Sequence, residues 1–287
     1  MTANKKNKRR WILTNQLGSS LKEIRKQQKL SQKEVANGIC AQSMLSAIET
    51  GKYMPNARLL LALCDRLAIS LDEISLNSNF TISASQKFNK TLSKLCNEHK
   101  YVGLKTFLLD PVTIDNVQTA VEVQAYYYYL SVTNFQVDAD LRFTEQNLKL
   151  SLSNDEKGTM QSTLTRLGLA SLGLIQAKKG LSTSDTTLVI KAMTNIEQAN
   201  YVENLNIIFY LVALTNYELK NIQGALKWVT KGIAYITGHN SHYMLANLYR
   251  LVAQIAKENE QADQQLEAQQ RSNFLKNLFN EKINENF

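Results

Sequence analysis

The amino-acid sequence predicts an all-α protein in two parts, a small bundle of short helices followed by an array of longer helical hairpins. Three observations lead to this fold class. Only 2 prolines and 11 glycines occur in 287 residues, so few positions interrupt a helix. Apolar residues recur at helical spacing along the chain. Near residue 81 the pattern changes from short helices to long helices in pairs.

The positive charge of the chain is concentrated in its first quarter. The whole chain has a net charge of +8, and residues 1–79 carry 13 Lys and Arg against 6 Asp and Glu. The remaining 208 residues hold 20 against 19. This asymmetry is typical of a polyanion-binding module joined to a neutral body, although a basic surface that serves only solubility is the plainer interpretation.

The composition favours a cytoplasmic protein. The sequence contains no apolar run long enough to span a bilayer. The basic start MTANKKNKRRW is not followed by the apolar core of a signal peptide. The cysteines Cys40, Cys64 and Cys96 are odd in number and widely spaced, as expected of buried thiols in a reducing compartment.

Motifs for catalysis or metal binding are missing from the sequence. It has no glycine-rich phosphate loop and no G-x-S-x-G motif. His239 and His242 are three residues apart, but no cysteine or acidic cluster lies beside them. We interpret them as part of a hairpin loop or helix cap, and we expect no enzymatic activity, no cofactor and no metal.

Short helices are predicted first along residues 17–76. The first has the apolar stripe Leu17, Leu21 and Ile24. The second begins with the sequence SQKE at residues 31–34, which is a capping box.

A tight turn joins the second of these helices to the third. The third is predicted to run from Gln42 to Glu49 and to stop at Gly51. Asn56 caps a fourth helix, and a short fifth begins near Leu71. Five short helices with a tight turn between the second and third constitute the helix-turn-helix plan.

The third helix has a polar face without an apolar role. Leu45 and Ile48 point inward, whereas Gln42, Ser43 and Ser46 lie on the opposite side. The major groove of DNA admits one helix, and glutamine near its N-terminus pairs bidentately with adenine. This pattern predicts base reading, and a solvated helix face is the plainer alternative.

The predicted DNA-binding set adds positions suited to phosphate contacts. Helix N-termini point backbone donors at phosphates, so the beginning of the second helix belongs to the set. Residues 5–10, KKNKRR, are either a disordered tail or an arm that reaches a neighbouring groove. The set is Gln32, Lys33, Gln42, Ser43, Ser46, Lys52 and Arg58, with Arg25 as a further phosphate contact.

The segment LGSSLKEIRKQQKLSQKEVANGICAQSMLSAIETGKYMPNARLLLALCDRLAISLDEI resembles the phage-repressor (XRE) class of helix-turn-helix domains. Within it, ICAQSMLSAIETG is similar to the peptide-pheromone regulators of Gram-positive bacteria, the PlcR, PrgX and Rgg group. The resemblance covers about residues 17–76. It implies that Gln42, Ser43 and Ser46 read bases with Ala47 beside them, where most family members carry a larger polar or basic residue. An alanine there suits a thymine methyl group.

Beyond residue 81 the sequence predicts an α-solenoid. Each hairpin has about 30–45 residues, the range of helical repeat arrays. In the fourth, the small residues Ala225 and Gly232 lie seven apart and let the paired helices approach closely, which resembles a tetratricopeptide (TPR) repeat. The polar stretch 182–187 predicts a loop. The five TPR-like hairpins span approximately 83–109, 114–152, 156–199, 203–236 and 241–280.

Polar residues at helical spacing on the first helix of each hairpin outline a groove for an extended peptide. Asparagine holds a peptide backbone through a donor and an acceptor, tyrosine offers flat area, and arginine binds a terminal carboxylate. The family resemblance implies the peptide, whereas ordinary packing between helices is the plainer alternative for each residue. The predicted set is Tyr126, Tyr129, Arg166, Asn206, Tyr210, Tyr243, Asn247, Arg250 and Gln254.

Four segments are therefore predicted. They are a basic arm at 1–16, a helix-turn-helix domain at 17–76, a linker at 77–84, and a TPR-like domain for peptide binding and dimerisation at 85–287. Leu275, Leu278 and Phe279 are candidate dimer contacts, with closure of the repeat stack as the alternative.

The resemblance implies a transcription regulator that binds a double-stranded DNA operator, and the composition places it in the cytoplasm. We expect a homodimer, because one recognition helix reads few base pairs and paired half-sites multiply specificity. A short signalling peptide controls it, as in quorum sensing, and no membrane is involved. Two alternatives stay open. One is a ligand-independent repressor of the phage or mobile-element type, and the other is a DNA-tethered scaffold whose repeats bind a protein partner.

Overall fold

The computed structural model confirms the all-α class, since every element assigned in its described residues is helical. Backbone contacts divide the chain into two compact units, Met1–Ser78 and Asn79–Phe287. The predicted basic arm and the short helix near Leu71 lie outside the described residues. The structure describes residues 17–18, 21–22, 24–26, 28–53, 55–68, 80–153, 161–180, 182–279 and 281, without the side chains of 57 and 182–186.

The N-terminal unit has one small core. Helical residues between 17 and 26 are followed by α1 (Gln32–Ala36), α2 (Gln42–Glu49) and α3 (Ala57–Leu67). The apolar stripes predicted for these helices meet in this core. Its buried members are Leu17, Leu21, Val35, Ala36, Leu45, Ile48, Leu63, Cys64 and Leu67.

The ends of these helices follow the capping signals in the sequence. The hydroxyl of Ser31 accepts from the backbone amide of Glu34, and the carboxylate of Glu34 accepts from the amide of Ser31. The predicted capping box is therefore present. Asn56 caps α3 with its side chain. Gly51 follows α2 with φ 70°, a left-handed conformation that glycine adopts without strain.

Within the described residues the second unit contains five helical hairpins, as predicted. The first pairs α4 (Gln86–Asn97) with α5 (Tyr101–Leu108), and a short helix α6 (Pro111–Asp115) follows. The second pairs α7 (Ala120–Asp138) with α8 (Leu141–Ser153), and the third pairs α9 (Thr163–Lys178) with α10 (Ser182–Met193), which a 3-10 turn (Ile196–Gln198) follows. The fourth pairs α11 (Asn204–Glu218) with α12 (Ile222–Gly238), and the fifth pairs α13 (Leu245–Glu258) with α14 (Ala262–Phe279).

The predicted loop at 182–187 is wrong, because α10 already begins at Ser182. Serine, threonine and aspartate are unfavourable inside a helix but common at its start, where they satisfy backbone amides. A polar run therefore marks a helix beginning as readily as a loop.

The first helices of the third and fourth hairpins lie in the interior of the repeat unit. Helix α9 packs against α8, α10 and α11, and α11 packs against α12 and α13. In α9, 12 of 16 residues are buried, and in α11, 11 of 15. A helix that buries most of its circumference is a core helix rather than the lining of an open surface.

A glycine allows the fourth hairpin to close. A Cβ atom on Gly232 would lie 3.0 Å from Cβ of Phe209 and 3.1 Å from Cδ1 of Leu248. Helix α12 therefore approaches both α11 and α13 at this point. The predicted small residues occupy the closely packed side of α12, since Ala225 is also completely buried.

Replacing Gly232 with alanine should destabilise the protein by about 1–3 kcal/mol, because the added methyl group must displace Phe209 or Leu248 in a packed core. Urea unfolding followed by circular dichroism measures the loss. Gly238 is the matched control, since it ends the same helix and a Cβ there would meet no atom within 4 Å. Gly238→Ala should stay within about 0.5 kcal/mol of wild type, and equal losses in the two variants would contradict the close approach.

The described part of the chain offers neither a membrane span nor a metal cluster. None of its helices combines the length and apolar character needed to cross a bilayer. None of its groups of His, Cys, Asp and Glu is arranged to hold a metal ion. Cys40, Cys64 and Cys96 are free thiols, and burial raises the pKa of Cys96 to about 12.

Candidate DNA-binding and ligand-binding sites

A buried ion pair ties the first helical segment of the N-terminal unit to the end of α2. Arg25 donates to the two carboxylate oxygens of Glu49 from Nε at 2.6 Å and from Nη2 at 2.9 Å. Its Nη1 donates to the carbonyl of Leu30 at 2.9 Å. Burial acts to raise the pKa of Glu49, but the hydrogen bonds from Arg25 and Gln32 and the charge of Arg25 outweigh it. The pKa of Glu49 is therefore lowered, and its carboxylate stays ionised inside the unit.

The prediction that Arg25 contacts a DNA phosphate is wrong, because all three guanidinium nitrogens donate inside the unit. Sequence reasoning missed the role of its partner. The available signal was the position of Glu49, four residues after Leu45 and hence on the buried face of α2. A carboxylate on a buried face needs a cation or several donors nearby.

Two glutamines extend the ion pair to the surface. Gln32 donates from Nε2 to Oε2 of Glu49 at 2.8 Å, and Gln42 donates from Nε2 to Oε1 of Gln32 at 3.0 Å. Gln42 is the first residue of α2 and is exposed. A continuous hydrogen-bonded chain thus runs from buried Arg25 to an amide at the helix N-terminus.

The other predicted DNA-binding residues lie around this amide or on the following segment. Ala41 precedes α2 without a side-chain cap, although the amide of Met44 donates to the carbonyl of Ala41. A helix beginning without a side-chain cap suits an anion. Ser46 and Ala47 are half-buried on α2. The exposed members of the set are Lys33, Ser43, Lys52 and Arg58.

The nine predicted peptide-binding residues differ in exposure. Tyr243, Arg250 and Gln254 are half-buried on or just before α13, and Gln254 donates to Glu258 at 2.8 Å. The other six are buried, with exposures from 0% to 8%, namely Tyr126, Tyr129, Arg166, Asn206, Tyr210 and Asn247.

Several of the buried residues join one hairpin to the next. The hydroxyl of Tyr126 donates to the carbonyl of Leu108 at 3.1 Å. Asn206 donates from Nδ2 to the hydroxyl of Ser241 at 3.2 Å and to the carbonyl of Tyr243 at 3.1 Å. Tyr210 lies in the apolar core of the last hairpins. These contacts hold the unit together, and a part in peptide binding stays a prediction for them.

Tyrosines from distant hairpins converge in the repeat unit. The hydroxyl of Tyr129 accepts from the amide of Phe80 at 2.7 Å. Burial raises the pKa of Tyr129 well above its ordinary value, and nearby Cys96 and Tyr243 add to the rise. Tyr243 precedes the fifth hairpin and Tyr129 lies in the second, so the fold brings these two predicted residues near each other.

Arg166 differs from the other predicted residues because its charge is buried and no acidic partner lies within the part of the chain that the structure describes. The residue is 2% exposed, and its Nη1 donates to the carbonyl of Ala192 at 2.7 Å. Its Nε is buried and has no hydrogen-bond partner among the described residues. Within the same described residues no Asp or Glu forms an ion pair with it. Desolvation lowers its pKa, but a guanidinium stays charged in proteins.

Asn247 holds a carboxylate from the C-terminal end of the chain. Its Nδ2 donates to Oε1 of Glu281 at 3.0 Å, and the backbone amide of Met244 donates to the same oxygen at 2.9 Å. This contact was not predicted, because Glu281 is 34 residues away from Asn247 in the sequence.

Comparison with known proteins agrees with this architecture. A helix-turn-helix family model matches residues 21–74, which contain α1 to α3 and the Arg25–Glu49 pair. The chain therefore carries a helix-turn-helix domain, the DNA-binding fold of transcription regulators. No curated protein matches the chain.

Solved structures share the fold over nearly the whole chain. Bacillus thuringiensis PlcR in complex with the peptide PapR7 and DNA has a TM-score of 0.58 at 19% identity, covering 93% of this chain and 96% of that one. The apo form of PlcR has a TM-score of 0.54 at 16% identity, with coverage of 93% and 95%. ComR from S. thermophilus in complex with DNA and its signalling peptide ComS has a TM-score of 0.50 at 14% identity, with coverage of 92% and 94%. A helix-turn-helix domain followed by helical repeats is thus the fold of this chain.

Proposed function

We propose that this chain, a helix-turn-helix protein with the fold of PlcR, is a transcription regulator controlled by a short signalling peptide. Its N-terminal unit binds a double-stranded DNA operator, and its repeat unit binds the peptide in the cytoplasm. Two solved structures with this fold are complexes with DNA and a peptide, which supports the proposal.

The proposed regulator is a homodimer, because one recognition helix reads few base pairs and paired half-sites multiply specificity. Helix α14 supports this by leaving Leu266, Phe274 and Leu278 between 58% and 64% exposed on one side. Two predicted dimer contacts have partners inside the unit instead. Leu275 packs on the core of the last hairpins, and Phe279 stacks on His242.

Gln42 reads bases in this proposal, with Ser43, Ser46 and Ala47 beside it. The Arg25–Glu49 pair and Gln32 hold its amide before DNA arrives. An amide that is already oriented loses less conformational entropy when it pairs with adenine. Gln32 lies beside the DNA backbone and orients Gln42. Phosphate contacts come from Lys33, Lys52 and Arg58.

Replacing Gln42 with alanine should weaken binding to the operator by about 1–3 kcal/mol, or roughly 5- to 150-fold, and binding to random DNA much less. Anisotropy titrations at fixed salt, with an operator selected by the protein from a random library, measure both affinities. Lys33→Ala is the matched control, since a lost phosphate contact should weaken both DNAs alike and reduce the salt dependence. Equal losses on both DNAs for Gln42→Ala would remove this residue from base reading.

The proposal that a peptide controls this protein rests chiefly on the buried Arg166. A buried charge is costly unless it is paired, so an anion that reaches Arg166 gains a strong partner. A carboxylate binds a guanidinium through two parallel hydrogen bonds, and every peptide with a free C-terminus has one. Tyr243, together with Arg250 and Gln254 on α13, supplies further half-buried surface for an extended chain.

Peptide binding must favour one arrangement of the hairpins to control DNA binding. The guanidinium of Arg166 now holds the carbonyl of Ala192 on α10. A carboxylate that draws the guanidinium away changes how α9 packs on α10. The peptide therefore acts through the packing between helices of the third hairpin.

Calorimetric titration of the purified protein with short synthetic peptides and culture-supernatant fractions tests the proposal. The expected result is saturable binding of one peptide that also changes operator affinity. Operator binding that no peptide changes would favour the ligand-independent repressor. Absence of peptide binding, together with stable capture of a folded protein by the repeats, would favour the scaffold.

A further inference from the structure

A carboxylate near the C-terminal end of the chain is buried against the beginning of α13. Oε1 of Glu281 accepts from the amide of Met244 at 2.9 Å and from Nδ2 of Asn247 at 3.0 Å. Glu281 is 8% exposed. Its other oxygen, Oε2, is buried and has no hydrogen-bond partner among the described residues. One oxygen of this carboxylate is therefore well held and the other is not.

The two donors at the beginning of α13, the backbone amide of Met244 and the side chain of Asn247, suit any carboxylate. Met244 is the N-cap of a 14-residue helix, where the backbone amides and the helix dipole favour an anion. Asn247 is 3% exposed, so its amide is already removed from water and needs a polar partner. Both donors belong to the part of the repeat unit where Asn206, another predicted peptide-binding residue, holds the carbonyl of Tyr243.

Glu281 is an imperfect occupant of this position. It lies beyond the end of α14, and its amide donates to the carbonyl of Lys276. Burial raises the pKa of its carboxyl group to about 7, and the charge of Glu203 adds to the rise. Hydrogen bonds from Asn247 and from the backbone amides of Met244 and Ala246 oppose it. Near neutral pH the ionised form is thus held against a desolvation cost. A carboxylate held at such a desolvation cost is a weak competitor for another carboxylate that reaches the same donors.

We propose that Met244 and Asn247 form a carboxylate-binding subsite, which Glu281 fills when no ligand is present and which a carboxylate of the peptide effector takes by displacing Glu281. This inference rests on the proposed function, because it names where the repeat unit anchors its effector. Together with Arg166, the subsite suits a peptide with two carboxylates, one at its C-terminus and one on an acidic side chain. Displacement also releases Glu281 from the beginning of α13, which couples ligand binding to the segment that follows α14.

Chemical rescue by acetate tests the subsite without any peptide. Glu281→Ala should unfold at a lower urea concentration than wild type in sodium chloride. Replacing the chloride by acetate at equal ionic strength should restore stability to this variant, and each tenfold excess of acetate over its Kd lowers the unfolding constant about tenfold. Wild type and Glu281→Gln, in which a side chain still fills the position, should respond to acetate no more than to chloride.

A second substitution locates the binding atoms. In the Glu281→Ala background, Asn247→Leu should abolish the acetate effect, because the side-chain donor is lost. If Glu281→Ala is unfolded in chloride, recovery of its helical circular dichroism in acetate is the expected result. Failure of acetate to stabilise or refold Glu281→Ala would overturn the subsite.

The outcome separates the two proposals. If acetate has no effect and peptides bind wild type and Glu281→Ala equally well, the proposed subsite is wrong, whereas control by a peptide still stands. Acetate rescue without binding of any peptide would keep the subsite and remove peptide control. Once a peptide is identified, amidation of its C-terminus or replacement of its acidic side chain by the amide reveals which carboxylate enters the subsite.

Discussion

Replacing Arg25 with methionine should destabilise the N-terminal unit by about 3–5 kcal/mol, because Glu49 would remain as a buried carboxylate without its cation. The pair is bidentate and both residues are buried, at 8% and 5% exposure. Hydrogen exchange of the α2 amides in the full chain measures this loss separately from the repeat unit. Operator affinity should fall as well, because the folded population falls and the chain to Gln42 loses its anchor.

The double variant Arg25→Met/Glu49→Leu is the matched control. Two apolar side chains of similar volume replace the ion pair, so most of the lost stability should return. Operator binding should stay weaker than in wild type, because Gln32 no longer has a carboxylate to hold it. A double variant as unstable as the single one would show that the ion pair does not account for the loss.

The pair also has a pH signature. The pKa of Glu49 lies below its ordinary value of 4.5, so the pair contributes stability above that pH. The contribution disappears as the pH falls through the folded-state pKa. The difference between wild type and Arg25→Met should therefore shrink in acid, and hydrogen exchange over a pH series measures it.

Replacing Arg166 with methionine should lower effector affinity by about 30-fold or more, because truncating one partner of a buried charged pair costs about 2–5 kcal/mol. The stability of the free protein should change little. Methionine removes a buried charge that has no acidic partner among the described residues, and this gain offsets the lost hydrogen bond to Ala192. Calorimetry with the identified peptide and urea unfolding measure the two quantities.

Arg142→Met provides the control for this experiment. It makes the same chemical change on an exposed part of α8 and should alter neither stability nor effector affinity. A large loss of stability in Arg166→Met with unchanged effector affinity would assign Arg166 to the packing of α9 on α10. A loss of affinity without a loss of stability would assign it to the ligand.

The N-terminal unit illustrates which structural features could be predicted from the sequence and which could not. The capping box at Ser31 and Glu34 and the bounds of α2 agree with the structure, because they depend on residues within one helical turn of each other. The ion pair between Arg25 and Glu49 joins residues 24 positions apart. Its positive charge alone made Arg25 a candidate for contacting a DNA phosphate. Only the packed core reveals that its partner is Glu49.

The repeat unit gives the same lesson on a larger scale. Periodicity predicted five hairpins and placed Asn206 and Asn247 on one face of their helices. It did not distinguish a face that meets a ligand from one that meets the next hairpin. Asn206 joins two hairpins, and Asn247 holds Glu281.

By itself the sequence determined the helical class, the order of the helices, the capping of their ends and the small residues where hairpins close. All of these follow from backbone geometry and side-chain size over short stretches of chain. Only the tertiary structure decided that Glu49 neutralises Arg25 and that no acidic residue among the described residues neutralises Arg166. It also decided that the side-chain carboxylate of Glu281 binds at the beginning of α13. The physical reason is that the energy of a charge depends on burial and on partners distant in the sequence, which exist only once the helices pack.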